Sequence, residues 1–165
     1  MRGAAMILFL RNIFFLIILP GSVTVTIPYY FILRRHSVIE SFGFAQVGGL
    51  IAMTSGSYIL LRCVWDFATN GRGTLAPVDP PRTLVVQGLY RYVRNPMYVG
   101  VMTMLFGESL FFESMALLRY AIGCFLAFHL FVVLYEEPTL RSKFGESYVR
   151  YCSSVNRWLP RRYVM

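Results

Sequence analysis

The sequence predicts an all-α integral membrane protein, built as a bundle of about four spanning helices and a C-terminal amphipathic surface helix. Hydrophobic residues make up 56% of the chain, and they form long blocks instead of the scattered pattern of a soluble domain. Arginines flank these blocks. At about 20 residues per span, a chain of 165 residues suits four spans in a single domain.

Two apolar blocks predict the first two spans, within residues 1–67. The first block runs from about Ala4 to Leu33, and its prolines, Pro20 and Pro28, should bend the helix. A signal peptide is the competing interpretation, but the hydrophobic run continues past any cleavage window. The second span runs from about Phe42 to Trp65, and its small residues predict a face for close helix packing. These small residues are Gly43, Gly48, Gly49, Ser55, Gly56 and Ser57.

The rest of the chain divides into a loop at 68–96, a helical hairpin at 97–136 and a tail at 137–165. Glycines and prolines in the loop exclude a spanning helix there. The third span begins near Met97, and the fourth runs from about Met115 to Tyr135. In a hairpin, two residues at equal distances from the turn lie at the same depth in the membrane. Glu108 and Arg119 are such a pair, so they are expected to form an ion pair. A catalytic role for Glu108 is the weaker alternative.

The distribution of arginine predicts the orientation. The chain carries a net charge of +8, and its cations concentrate on the loop and the tail. The positive-inside rule therefore places both termini, the loop and the site that they form in the cytoplasm. Such flanking positions indicate contact with membrane head groups, and nucleic acid is not an expected partner. Within the tail, Thr139 to Ser153 has apolar residues at helical spacing, which predicts the surface helix.

Three cysteines, Cys63, Cys124 and Cys152, lie far apart and form no C-x-x-C pair. Neither a disulfide framework nor a metal site is therefore expected.

Two segments carry the residues suited to chemistry. In Gly88–Gly100, Pro96 suits the first turn of a helix and Asn95 is placed to cap it. Free backbone N–H groups beside Arg94 would suit a carboxylate, although a capped, arginine-anchored helix start is an equally good interpretation. The second segment is Glu136-Glu137, where a helix C-terminus disfavours negative charge and something positive should compensate it. Nearby arginines are the structural interpretation, and a cationic ligand is the functional one.

Together the two segments resemble the signatures G-x-Y-x-x-x-R-H-P-x-Y-x-G and E-E-x-x-L…F-G-x-x-Y-x-x-Y…P. These belong to the superfamily of isoprenylcysteine carboxyl methyltransferases and phospholipid methyltransferases. The resemblance implies a helical-bundle methyltransferase without a Rossmann fold, using S-adenosyl-L-methionine and a lipophilic acceptor that enters from the bilayer. The residues that it assigns to the cofactor pocket are Gln87, Gly88, Tyr90, Arg94, Asn95, Tyr98, Glu136 and Glu137.

Further roles follow from the same resemblance. Glu136 and Glu137 would bind the ribose hydroxyls or the cationic groups of the cofactor. Arg141 or Lys143 would hold a substrate carboxylate. Apart from the resemblance, His129 lies seven residues before Glu136 on the same helical face and could serve as a base, although a packing role suits a lone histidine better. The catalytic candidates are therefore Glu137, Arg141 and His129.

Asn95 departs from the signature, which has histidine at this position. Asparagine forms hydrogen bonds but cannot titrate. A carboxylate acceptor is already ionised at neutral pH, whereas an ammonium must lose a proton. The sequence therefore favours carboxyl O-methylation of an isoprenylcysteine-type acceptor, either a lipid or a prenylated small molecule or protein. N-methylation of phosphatidylethanolamine is the alternative, and a non-catalytic membrane assembly subunit is the alternative of another class.

Overall fold

The computed structural model describes residues 18, 20–33, 42–70, 84 and 86–161, and within them it is all-helical with no strand. The predicted start of the first span at Ala4 and residues 71–83 and 85 of the loop lie outside these residues. Five α-helices are α1 (Phe44–Asn70), α2 (Pro96–Phe111), α3 (Met115–Phe131), α4 (Glu137–Phe144) and α5 (Glu146–Ser154). Shorter elements are the π-helical stretches Ser22–Thr26, Pro28–Leu33 and Val132–Glu136, and the 3₁₀ turn Gly88–Arg91.

Two of the described helices are long and apolar enough to cross a membrane. One is Phe44–Asp66, with a mean hydropathy of 1.4, and the other is the continuous helix Met115–Phe144, with 2.1. Only 28% and 17% of their most apolar windows are buried, whereas the core helix of a soluble protein would be mostly buried. At 16 residues, α2 is shorter than the usual span of about 20. α1 continues to Asn70, past the predicted end of the second span at Trp65.

Glycines bring α1 and α2 into close contact. A Cβ atom added to Gly56 would lie 2.6 Å from the carbonyl oxygen of Gly100, and one added to Gly49 would lie 2.7 Å from that of Gly107. Residues seven apart lie on one face of a helix, so the two pairs form one continuous seam. The predicted packing face is confirmed at these two positions, whereas Gly48 points into open space.

The hairpin turns where the sequence predicts it. Glu113 has a φ of +46°, and Ser114 is the N-cap of α3, its side chain accepting a hydrogen bond from the Leu117 backbone N–H at 3.3 Å. From α1, the Gln46 side-chain amide donates to Glu113 at 3.0 Å. This contact fixes the turn against the beginning of α1.

The predicted ion pair between Glu108 and Arg119 is wrong. Glu108 is buried, and its Oε2 has no hydrogen-bond partner among the described residues, while Arg119 is exposed. Equal distance from the turn gives the two residues similar depth, but it does not fix the direction in which each side chain points around its helix axis. Glu108 points into the bundle and Arg119 points away from it.

The predicted surface helix is two helices. α4 continues α3 through the π-helical stretch and ends at Gly145, whose φ of +55° favours glycine, and α5 follows. The expected apolar face exists, with Tyr148, Tyr151 and Val155 buried on it. Leu84 and Val86 of the loop pack against this face, so the loop covers part of it.

Candidate functional site

The two sequence segments meet at one end of the bundle, beside the tail. A helix of 30 residues is about 45 Å long, whereas the hydrocarbon core of a bilayer is about 30 Å thick. A helix that enters the core at Met115 therefore projects its last ten residues or so on the other side. Glu136 and Glu137 lie in this projecting part, next to the start of α2 at Pro96.

The centre of the site is the Glu137 carboxylate, which binds two arginines. Arg157 donates from Nε to Oε1 at 2.7 Å and from Nη2 to Oε2 at 2.9 Å, which is a bidentate pair. Arg94 contributes a third contact, from Nη1 to Oε1 at 3.2 Å. The hydrogen bonds to Glu137 raise the pKa of Arg157, so its guanidinium stays charged. These arginines are the predicted compensation for the glutamate pair.

Beside it, Glu136 contacts α2. The Tyr98 hydroxyl donates to Glu136 Oε2 at 3.1 Å. The Tyr98 ring packs against Phe128 and Trp158, with centroid distances of 5.0 and 6.3 Å. Adjacent carboxylates thus have different partners: Glu137 binds cations, and Glu136 accepts a hydrogen bond from a phenol.

Residues 156–161, hereafter the C-terminal strap, cross the beginning of α2. The Arg94 backbone N–H donates to the Asn156 carbonyl at 2.9 Å, and the Arg161 backbone N–H donates to Tyr92 at 2.6 Å. Asn95 precedes α2, but its side chain does not cap the helix as predicted: Nδ2 donates to the Arg157 carbonyl at 3.3 Å. The side chain of Asn95 is thus directed toward the strap, and its oxygen accepts no hydrogen bond from the first turn of α2.

His129 belongs to an aromatic cluster under the strap. Its Nδ1 accepts a hydrogen bond from the Trp158 indole at 3.2 Å, and Phe125 packs against Trp158 at 5.5 Å between ring centroids. In the neutral ring the proton is then on Nε2. His129 thus has a specific packing partner, Trp158. The sequence does not show this partner because Trp158 lies 29 residues further along the chain.

The beginning of the first segment lies between α1 and α5. Gly88 has a φ of +55° and begins the 3₁₀ turn, while Gln87 is exposed. The Tyr151 hydroxyl donates to the Tyr90 carbonyl at 2.6 Å. Burial, followed by neighbouring charges that include Glu136, raises the pKa of Tyr90 well above its usual value. Tyr90 is thus close enough to Glu136 to be affected by its charge.

Three further charged residues lie around these two glutamates and the first segment. Arg141 and Lys143 are exposed on α4. Although burial opposes it, the hydrogen bond from Arg157 and the charges of Arg94, Arg157 and Arg141 lower the pKa of Glu137, so Arg141 lies within electrostatic reach of this carboxylate. Asp66, which the sequence analysis did not single out, is 2% exposed at the end of α1 and lies against Gly88. Its signal in the sequence is a lone carboxylate that directly follows an apolar block.

The cluster has groups that fit a zwitterionic, nucleoside-type cofactor. Arg94 is mostly buried, and its Nε has no hydrogen-bond partner among the described residues. A guanidinium donor of this kind suits a carboxylate, and glutamate oxygens suit ribose hydroxyls or a cation. The donor set therefore matches the two ends of S-adenosyl-L-methionine.

The fold and the site together define a helical, membrane-type bundle with an arginine–carboxylate cluster at one end. The family model for phospholipid methyltransferase matches residues 44–147, which is more than half of the chain. The protein therefore belongs to this family, within the superfamily that its two segments resemble. No curated protein matches the chain significantly. Family membership supports a membrane methyltransferase.

Proposed function

We propose that this protein transfers a methyl group from S-adenosyl-L-methionine to a lipophilic acceptor in the membrane. The observation that carries the proposal is the convergence on Glu136 and Glu137 of residues from two other parts of the chain. Tyr98 and Arg94 come from the first segment, and Arg157 comes from the strap. The family match supplies independent support for methyl transfer.

The chain offers residues for both ends of the cofactor. Arg94 would bind its carboxylate, while Glu136, Glu137 and the Tyr98 hydroxyl would bind its ribose or its cationic groups. Gln87, Gly88, Tyr90 and Asn95 complete the proposed pocket. When bound, the cofactor supplies a methyl group already activated by the sulfonium. The protein then contributes mainly proximity and orientation.

Carboxyl O-methylation, as in isoprenylcysteine-type acceptors, is the acceptor chemistry that we favour. Asn95 cannot accept a proton, and its amide is bonded to the strap. His129 has one ring nitrogen engaged by Trp158, and the proton of the neutral ring is then on the other. A carboxylate needs no base, because it is ionised at neutral pH. Arg141 or Lys143 would hold it from the exposed face of α4.

N-methylation of a phospholipid amine is the second candidate function. The description of the matching family, phospholipid methyltransferase, favours it. This reaction needs a base to remove a proton from the ammonium, and His129 would have to release Trp158 in order to act. The two acceptors therefore make different demands on the same residue.

The proposed arrangement in the membrane has four spans with the site on the cytoplasmic side. α1 and the helix that includes α3 are long enough to cross. The segment that includes residues 20–33 and the shorter α2 would complete the bundle. The excess of arginine on the loop and the tail supports this orientation, and it would give a soluble cofactor direct access.

The proposal is tested with purified protein in lipid nanodiscs and a cofactor that carries a labelled methyl group. We expect label in an S-prenylcysteine analogue, as a base-labile methyl ester. Label in phosphatidylethanolamine would instead support the second candidate. Glu137→Gln should abolish transfer, while Glu146→Gln, at an exposed carboxylate of α5, serves as the matched control. Absence of saturable cofactor binding by the wild-type protein would overturn the methyltransferase proposal and favour a non-catalytic subunit.

A further inference from the structure

Asp66 is a buried carboxylate with one oxygen left unpartnered. It is 2% exposed, and its Oδ2 has no hydrogen-bond partner among the described residues. The other oxygen, Oδ1, lies 3.4 Å from Arg62 Nη2, but the Arg62 side chain is 45% exposed. Burial of a charged oxygen without a partner is costly, so a cationic or donating group is expected to meet it.

The position of Asp66 on α1 directs it toward the site. Gly49, Gly56 and Cys63 repeat every seven residues along the face that packs on α2, and Asp66 lies one turn beyond Cys63 on that face. A Cβ atom added to Gly88 would lie 1.9 Å from Asp66 Oδ2. Cys63 shares a side-chain hydrogen bond with Tyr90. Asp66 therefore contacts the first segment directly at Gly88, which is among the residues of the proposed cofactor pocket.

Asp66 differs from the two neighbouring glutamates in how its charge is compensated. Glu137 is neutralised by Arg94 and Arg157, and one oxygen of Glu136 accepts from Tyr98. Both glutamates thus have strong partners within the protein. Among these three acids, Asp66 alone has an oxygen that is both buried and without a hydrogen-bond partner in the described structure. A ligand with a primary ammonium group would satisfy it.

We infer that Asp66 is a further binding residue, whose carboxylate accepts hydrogen bonds from the amino group of the cofactor's amino-acid moiety. The inference rests on the proposed function. Two buried groups would then recognise the amino acid: Arg94 would bind its carboxylate, and Asp66 would bind its ammonium group. Gly88 is the glycine that the arrangement requires, because any side chain there would occupy the position of the Asp66 carboxylate.

The test compares two ligands by calorimetric titration of the purified protein. S-adenosylhomocysteine has the amino group and no sulfonium, whereas methylthioadenosine lacks the whole amino acid. Asp66→Asn should weaken binding of S-adenosylhomocysteine about tenfold or more, the usual effect of losing a hydrogen bond to a charged group. Binding of methylthioadenosine should stay within twofold, roughly the error of such a comparison. Arg62→Gln is the matched control, and it should leave both affinities unchanged.

Several results would overturn the inference. One is an Asp66→Asn variant that binds S-adenosylhomocysteine as tightly as the wild type, and another is equal weakening of both ligands. An Arg62→Gln variant that reproduces the Asp66→Asn effect would show that Asp66 serves only its ion pair. If Asp66→Asn does not fold, Asp66→Glu is measured instead, and only a selective loss for S-adenosylhomocysteine supports the inference. Failure of the wild type to bind either ligand would overturn the proposed function itself, which separates the two outcomes.

Discussion

The bidentate pair between Arg157 and Glu137 is expected to anchor the C-terminal strap to the bundle. Its two contacts are 2.7 and 2.9 Å long, and the side chains are 28% and 20% exposed. Hydrogen bonds to charged groups contribute about 1.5–3 kcal/mol when well shielded, and exposed ion pairs contribute about 0.2–1 kcal/mol. For this intermediate exposure we expect a coupling energy of about 1–2 kcal/mol.

A double-mutant cycle isolates this coupling from other effects of each substitution. Arg157→Gln, Glu137→Gln and the double variant are unfolded by denaturant titration in detergent. Trp158 lies on the strap, and the chain has only two tryptophans. In a Trp65→Phe background, the fluorescence of Trp158 therefore reports the strap directly. Arg157→Gln combined with Glu146→Gln provides the control cycle.

Additive effects of the two substitutions would show that Arg157 and Glu137 are not coupled. A coupling energy below about 0.3 kcal/mol is what independent sites give. In that case Arg157 and Glu137 would not hold the strap, and its attachment would depend on the backbone hydrogen bonds from Arg94 and Arg161. A coupling in the control cycle as large as that of the pair would show that the substitutions act through general charge effects.

The remaining predictions concern packing and polar contacts within the bundle. Gly56→Ala should destabilise the protein by about 1–3 kcal/mol, because the added Cβ meets a carbonyl oxygen of α2. Gly48→Ala, in open space on the same helix, should be neutral or stabilising. Thermal unfolding in detergent compares the two variants, and equal effects would contradict the close packing of α1 on α2. Glu108→Gln should leave the unfolding midpoint unchanged, and a loss of more than about 1 kcal/mol would reveal an ion pair absent from the structure. Trp158→Phe should cost about 1 kcal/mol through the lost hydrogen bond to His129, and His129→Phe in the same background should then cost little more through polar contacts.

Local patterns predicted the elements of the fold well. The starts of α2 and α3 follow from Pro96 and from the Glu113-Ser114 turn, and each signal depends on neighbouring residues only. The Glu108–Arg119 pair failed because it required the angular orientation of two helices. Hydrophobic blocks fix the length of a spanning helix, but in lipid they do not fix which side faces its neighbours. The small residues of α1 carry that information and predicted its packing face, but they did not identify α2 as the partner.

The candidate site was predictable where its residues belong to a motif. Glu137 and Arg94 are found together, but the role of Arg157 could not be derived, because it depends on the chain returning across α2. Asp66 was missed for a similar reason. Its burial results from the loop that places Gly88 against it, and no local pattern in α1 predicts this contact.

The glycine seam also limits the routes by which a hydrophobic molecule can reach the site. At Gly56 and Gly49 the two backbones are so close that even a methyl group does not fit between them. An acyl or prenyl chain is wider than a methyl group, so it cannot pass between α1 and α2 without separating them. An acceptor with such a chain would therefore have to reach the site by a route that avoids the α1–α2 seam.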